Sequence, residues 1–176
     1  VRDAELELTA DELRAVVRYA AGCAEGLLPA FEAVVPGDPR PREALAAAQV
    51  FADGAARSNL QRTAAVAAHR AARDAPAEPA RLAALACGDA AAAAYLHPLP
   101  RATQVGHILR AAACAARVAE LTGGTGADAV RALAARAAPP VPDILRRYPV
   151  APPGTTRLAQ LVSALDAAVR AAAPSG

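Results

Sequence analysis

Runs of alanine cut by prolines constrain this chain more than any other feature. Residues 83–95, AALACGDAAAAAY, are typical. Alanine is the best helix former and carries the smallest side chain with a Cβ, so helices built from it can approach closely. β-branched residues are scarce and no stretch alternates apolar and polar with period two, which argues against a sheet. The prolines and glycines then read as punctuation.

Thr9 stands three residues before Glu12, the spacing of a capping box, and opens a first helix. Leu13, Val16, Val17, Ala20, Cys23 and Leu27 recur along it at helical spacing until Pro29 bends or ends it. A second helix follows Pro41 and runs to about Gly54; a third is capped near Ser58 and stops before Pro76. A fourth covers roughly residues 79–96, a fifth 101–121 and a sixth 127–138. The glycines of TGGTG, residues 122–126, read as a flexible link, and PPVPDILRRYPVAPPG holds one short helical turn. Residues 156–172 form a terminal amphipathic helix with Leu158, Leu161, Val162, Leu165 and Val169 on one face. The expectation is an all-α antiparallel bundle of six to seven Ala-rich helices. At 176 residues it makes a single domain over 1–176, whose C-terminal helical extension is 122–176.

Several functions are excluded by what is missing. Every basic residue is arginine, and the net charge of +2 comes from interleaved acids and bases, so no field gathers nucleic acid or an anionic membrane. No charge-free apolar run reaches the roughly 18 residues that a membrane span needs, and no charged-then-apolar leader opens the chain. Cys23, Cys87 and Cys114 are odd in number and form no CxxC pair, which fits reduced thiols in a cytoplasm. A P-loop needs a lysine, and neither GxSxG nor HExxH is present. No metal or cofactor is expected.

Two polar constellations stand out from the alanine. In PGDPRPR, Asp38 suits the positive end of a helix dipole, whereas Arg40 and Arg42 oppose it. The arginines therefore call for partners elsewhere: carboxylates, helix C-termini or an anion. We expect a buried or half-buried knot of all three residues, tying the second helix to a neighbour. The second constellation is built on histidine. Arg62, His69 and Arg73 share one face of the third helix, and Thr103, His107, Arg110 and Cys114 share one face of the fifth. His97 lies in the loop between the fourth and fifth helices, two residues after Tyr95, and Asp89 is the only charge in its helix centre. His69, Asp89, His97 and His107 can converge beside Arg73 and Tyr95, either as an open pocket or as histidines tied to backbone carbonyls and sealed by alanine packing. The sealed arrangement is the one expected.

The segments LLPAFEAVVPGDPRPREALAAA, AAVAAHRAAR and AAAAYLHPLPRATQVGHILRAAACAARVAEL carry a resemblance. Over residues 13–121 the chain resembles the bacterial type-five-like immunity proteins associated with polymorphic toxin systems. Pro36, Asp38, Arg40, Pro41 and Arg42 match the first motif, His69 and Arg73 the second, and Tyr95, His97, Pro98 and His107 the third. The resemblance implies stoichiometric binding and neutralisation of a cognate toxin, without catalysis. A basic nuclease toxin would call for an acidic inhibitor, and this near-neutral chain points to another kind of target. The alternative is a small-molecule enzyme or binder of bacterial specialised metabolism, holding a small anionic ligand near Arg40, Arg42, His69 and His107.

Overall fold

The computed structural model describes residues 5–172; residues 1–4 and 173–176, the ends of the expected domain, lie outside the described residues. Within them every regular element is helical: α1 (Ala10–Glu25), α2 (Leu28–Glu32), α3 (Arg40–Ala52), α4 (Asn59–Asp74), α5 (Glu78–Ala92), α6 (Gln104–Leu121), α7 (Gly126–Ala135), α8 (Val141–Arg146) and α9 (Arg157–Arg170). A 3-10 turn, Ala93–Tyr95, follows α5. The nine α-helices exceed the six to seven expected from sequence because α2 and α8 are helices in their own right. Both carry proline in the first turn, as α3 and α5 do. A first-turn N–H has no intrahelical partner, so proline there starts a helix as readily as it ends one.

The helix starts follow the local chemistry. Thr9 with Glu12 and Ser58 with Gln61 both close complete capping boxes, satisfying N–H groups that the first turn leaves unpaired. The stops of α3 and α6 are made by Gly54 and Gly123, with φ of 116° and 96°. In each case the next residue donates back into the helix, Ala55 to the Val50 carbonyl and Gly124 to that of Ala119. This double-bonded C-terminal cap needs a left-handed residue. TGGTG is thus a defined stop and restart, with Thr125 capping α7, and not the flexible link expected.

Helix α5 is the axis of the molecule. It packs against α1, α2, α3, α4 and α6, and from Ala80 to Ala91 nearly every residue is buried. Alanine permits this, because a helix with larger side chains could not accept neighbours on so many sides. Leu82, Ile108, Leu109 and Phe31 fill the space between the alanines. On the far side of α6, α9 packs against α6 and α7, and α8 packs against α9 and α1. Leu161, Leu165 and Val169 of α9 join the same hydrophobic cluster as Val16 of α1. No helix among the described residues is long and apolar enough to cross a membrane.

Candidate functional site

A carboxylate at the centre of a helix enclosed on most sides must find its donors inside the protein. Asp89 sits there with its side chain 2% exposed. From α6, Arg110 donates through Nε to Oδ2 at 2.7 Å and through Nη2 to Oδ1 at 2.5 Å. From α4, His69 places Nε2 3.0 Å from Oδ1, so the imidazole carries its proton on Nε2 and donates to the carboxylate. Burial is the largest single influence on Asp89 and raises its pKa, but the hydrogen bonds from Arg110 and His69 outweigh it and hold the carboxyl below its usual range. His107 lies one turn before Arg110. Burial and then the charge of Arg110 lower its pKa from 6.5, leaving a neutral ring at pH 7.

Gly88 makes this contact sterically possible. A Cβ at that position would lie 2.6 Å from His69 Nε2 and 3.1 Å from the Ala65 carbonyl oxygen. Three helices are therefore joined through one carboxylate. The His69–Asp89 pair orients an imidazole, but among the described residues no hydroxyl or thiol is hydrogen-bonded to His69. Burial pushes the Cys87 thiol up to about 12 and raises that of Cys114 further, so neither supplies a thiolate. The three cysteines are free and buried. No group of three or more His, Cys, Asp or Glu able to hold a metal occurs among the described residues.

The cluster that the sequence allows assembles only in part. His69, Asp89 and Arg110 meet, with His107 within reach of their charges. His97 does not join them: it is exposed in its loop, and its Nδ1 accepts from the Leu99 N–H at 3.1 Å. Tyr95 donates to the Ser58 carbonyl at 2.5 Å, and its ring lies under Arg57 and Arg62 at 5.1 and 4.6 Å. Arg73 is exposed and has no ionic or hydrogen-bonding partner among the described residues. Contacts at Tyr95–Ser58 and Asp89–His69 show α4 and α5 running antiparallel, which carries Tyr95 to one end of α4 and leaves Asp89 at its middle. The histidines also differ from the sealed arrangement expected. Asp89 is sealed, but the side chains of His69 and Arg110 are 30% and 41% exposed, and the His69 ring is held by a carboxylate instead of a carbonyl.

The PGDPRPR segment likewise divides. Asp38 accepts from the Arg40 N–H at 3.1 Å and from its guanidinium at 2.6 to 3.0 Å. Arg40 continues to Asp74 at 3.1 Å, so the cation misplaced at the start of α3 is balanced at the end of α4. The hydrogen bond from Arg40 pulls the Asp38 carboxyl below its usual range. Arg42 belongs to a separate pair, with Glu32 of α2 at 2.6 and 2.7 Å. Its side chain is 64% exposed, so Arg42 lies outside the expected knot, on the surface.

Residues 6–138 match the model of the family described as "Imm-5 like putative immunity protein". The chain belongs to this family. The Imm-5 like region takes in α1 to α7, including the whole Asp89 cluster, and reaches beyond the 13–121 that the motifs cover. Helices α8 and α9 lie outside it, yet Asp166 of α9 is a second buried carboxylate, held by Arg170 at 2.6 Å and by the Ala151 N–H at 2.9 Å. No curated protein matches the chain, and no solved structure does. Within the Imm-5 like region, the residue most underrated in the sequence is Arg110. An isolated Asp in an alanine helix requires a cation, and Arg110 is the arginine on the His107 face.

Proposed function

We propose that this chain is an immunity protein that binds a cognate bacterial toxin one to one in the cytoplasm and neutralises it without catalysis. Membership of the Imm-5 like family over residues 6–138 carries the reading. The chemistry of the centre supports it, since Asp89 is engaged by Arg110 and His69 and, among the described residues, no hydroxyl or thiol is hydrogen-bonded to the imidazole. A single domain, in which α8 and α9 complete the core of the family region, is part of the same proposal.

The outer face of α4 suits an acidic target. Arg62, Val66, Arg70 and Arg73 fall on one side of it, all exposed. Arg70 and Arg73 have no carboxylate partner among the described residues, while Asp74 already serves Arg40. A surface combining unpaired arginines with Val66 at its centre complements a toxin surface rich in Asp and Glu. Of the sequence candidates, Arg73 belongs to this face; Asp38, Arg40, His69 and His107 act within the fold, and Arg42 pairs with Glu32 at its surface. The test is growth rescue. Co-expression with a toxin encoded next to this gene should restore growth, and Arg70→Glu with Arg73→Glu should abolish rescue without lowering the melting temperature. Continued killing by the toxin in the presence of the native chain would refute the reading.

A second reading, an enzyme or binder for a small anion, rests on one observation. The outer side of Arg110 lines a cleft of about 340 Å³ together with Thr103, Gly106 and Thr156. A biosynthetic cluster in place of a neighbouring toxin gene would favour it.

A further inference from the structure

Arg18 and Arg136 are among the arginines of the described residues that end on no carboxylate. Both line a cleft of about 320 Å³ beside α1, whose other walls include Tyr19, Gly22, Ala138 and Val141. That is at the lower end of volumes used for small ligands, ~300 Å³ and upward. Each guanidinium is tethered by a single nitrogen to a backbone carbonyl: Arg18 Nη2 to Ala52 at 3.0 Å and Arg136 Nη2 to Gly22 at 2.8 Å. Gly22 is one turn beyond Arg18 on α1, so the two cations stand along the same helix face. Room for the second comes from the missing side chain, since a Cβ on Gly22 would lie 3.2 Å from Arg136 Nη2.

These carbonyl bonds orient the forks without neutralising them. No hydrogen bond engages their remaining nitrogens among the described residues, and no Asp or Glu lines the cleft. Glu25, later on α1, and Asp53, next to the carbonyl that Arg18 holds, are both outside its wall. Two forks of planar donors, pre-oriented and lacking a counter-charge, match the geometry of a carboxylate or phosphate. The wall between them decides which. Tyr19 spends its hydroxyl on the Leu133 carbonyl at 3.1 Å, and the side chains of Ala15, Ala138 and Pro139 are apolar, with the buried Val141 beneath them. A bare inorganic ion would leave that surface wet, whereas an aliphatic tail would cover it.

We propose that this cleft binds an organic carboxylate, with its head between Arg18 and Arg136 and a short aliphatic body against Ala138 and Pro139. The carboxylate can come from a free fatty or keto acid or from the C-terminus of a peptide, and the site does not depend on the immunity reading. The test titrates the full chain with hexanoate, hexanamide, inorganic phosphate, and a short Val-terminated peptide with free or amidated C-terminus, following backbone amide shifts. Hexanoate or the free-acid peptide should saturate at or below about 10 mM, moving amides around Arg18 to Gly22 and Arg136 to Val141. Preference between those two identifies the source. Arg136→Gln and Arg18→Gln should each weaken binding about tenfold, with Arg101→Gln, an exposed arginine elsewhere, as the neutral control. Equal binding of hexanamide, tighter binding of phosphate, absence of saturation, or undiminished binding by both Gln variants would overturn the proposal.

Discussion

Arg42 and Arg110 grip their carboxylates in the same two-point manner, and burial alone makes them different. Glu32 lies at the surface and can turn to water when Arg42 is removed, while the Asp89 side chain is only 2% exposed. Arg110→Ala should therefore cost about 3–5 kcal/mol by stranding a buried charge, whereas Arg42→Ala should leave the melting temperature within experimental error. Denaturant unfolding of the two variants side by side checks this, and equal effects would contradict the assignment. Gly88 supplies a second residue-scale prediction. Gly88→Ala raises helix propensity yet pushes a methyl into His69 and towards the Ala65 carbonyl, so a net loss of about 1–3 kcal/mol is expected. A variant as stable as the native chain would mean that α4 and α5 can separate at no cost. Asp89 was legible in the sequence as the lone charge in an alanine helix. Gly88 was not, because its role is defined only by the helix packed across from it.

At the scale of the element, local sequence and local structure agree closely. Both capping boxes, the terminal amphipathic helix and the stop before Pro76 stand where their residue types place them. Ser58 does more than cap: its carbonyl receives the Tyr95 hydroxyl, joining the start of α4 to the end of the α5 segment. Ser58→Ala should cost about 1 kcal/mol through the lost cap and leave the Tyr95 contact intact, since a carbonyl survives the substitution. Thermal unfolding combined with the ultraviolet spectrum of tyrosine separates the two effects; loss of the tyrosine signature would show that the cap and the contact are one unit. Glycine was the weaker guide. TGGTG looked loose because glycine permits many conformations, but the chain uses only the left-handed one, at Gly123, to close α6.

The whole molecule should lose stability on mild acidification. His107 has a folded pKa below the 6.5 of a free imidazole, through burial and then the Arg110 charge. Above 6.5 the ring is neutral in both states and the full contribution is present. As pH falls below 6.5 the unfolded chain takes up the proton first, so stability declines until the folded pKa is passed. Asp89 acts in the same direction further down: its folded carboxyl lies below 3.8, and its contribution, present above 3.8, is lost as pH falls through the folded value. Unfolding free energy should be level from pH 7 to 8 and fall from about 6.5 towards 5. His107→Gln should flatten that limb; an unchanged slope would remove His107 as its source. The docking proposed for α4 belongs to this scale too, and weaker binding at higher salt is expected of an arginine-led interface.

By itself the sequence determined the helical class, most element boundaries and the family, because alanine periodicity, caps and motifs are properties of neighbouring residues. The count of helices escaped it, since a proline that ends one helix is indistinguishable by type from one that starts the next. Only the tertiary structure decided which polar residues meet. His69 and His97 resemble each other as candidates in the sequence, yet one joins Asp89 and the other stays in its loop. Arg40 reaches Asp74, and Arg110 reaches Asp89, across separations that no local pattern encodes. The physical reason is that a buried charge selects its partner by position in space, and that position is set by how closely alanine lets the helices around α5 approach.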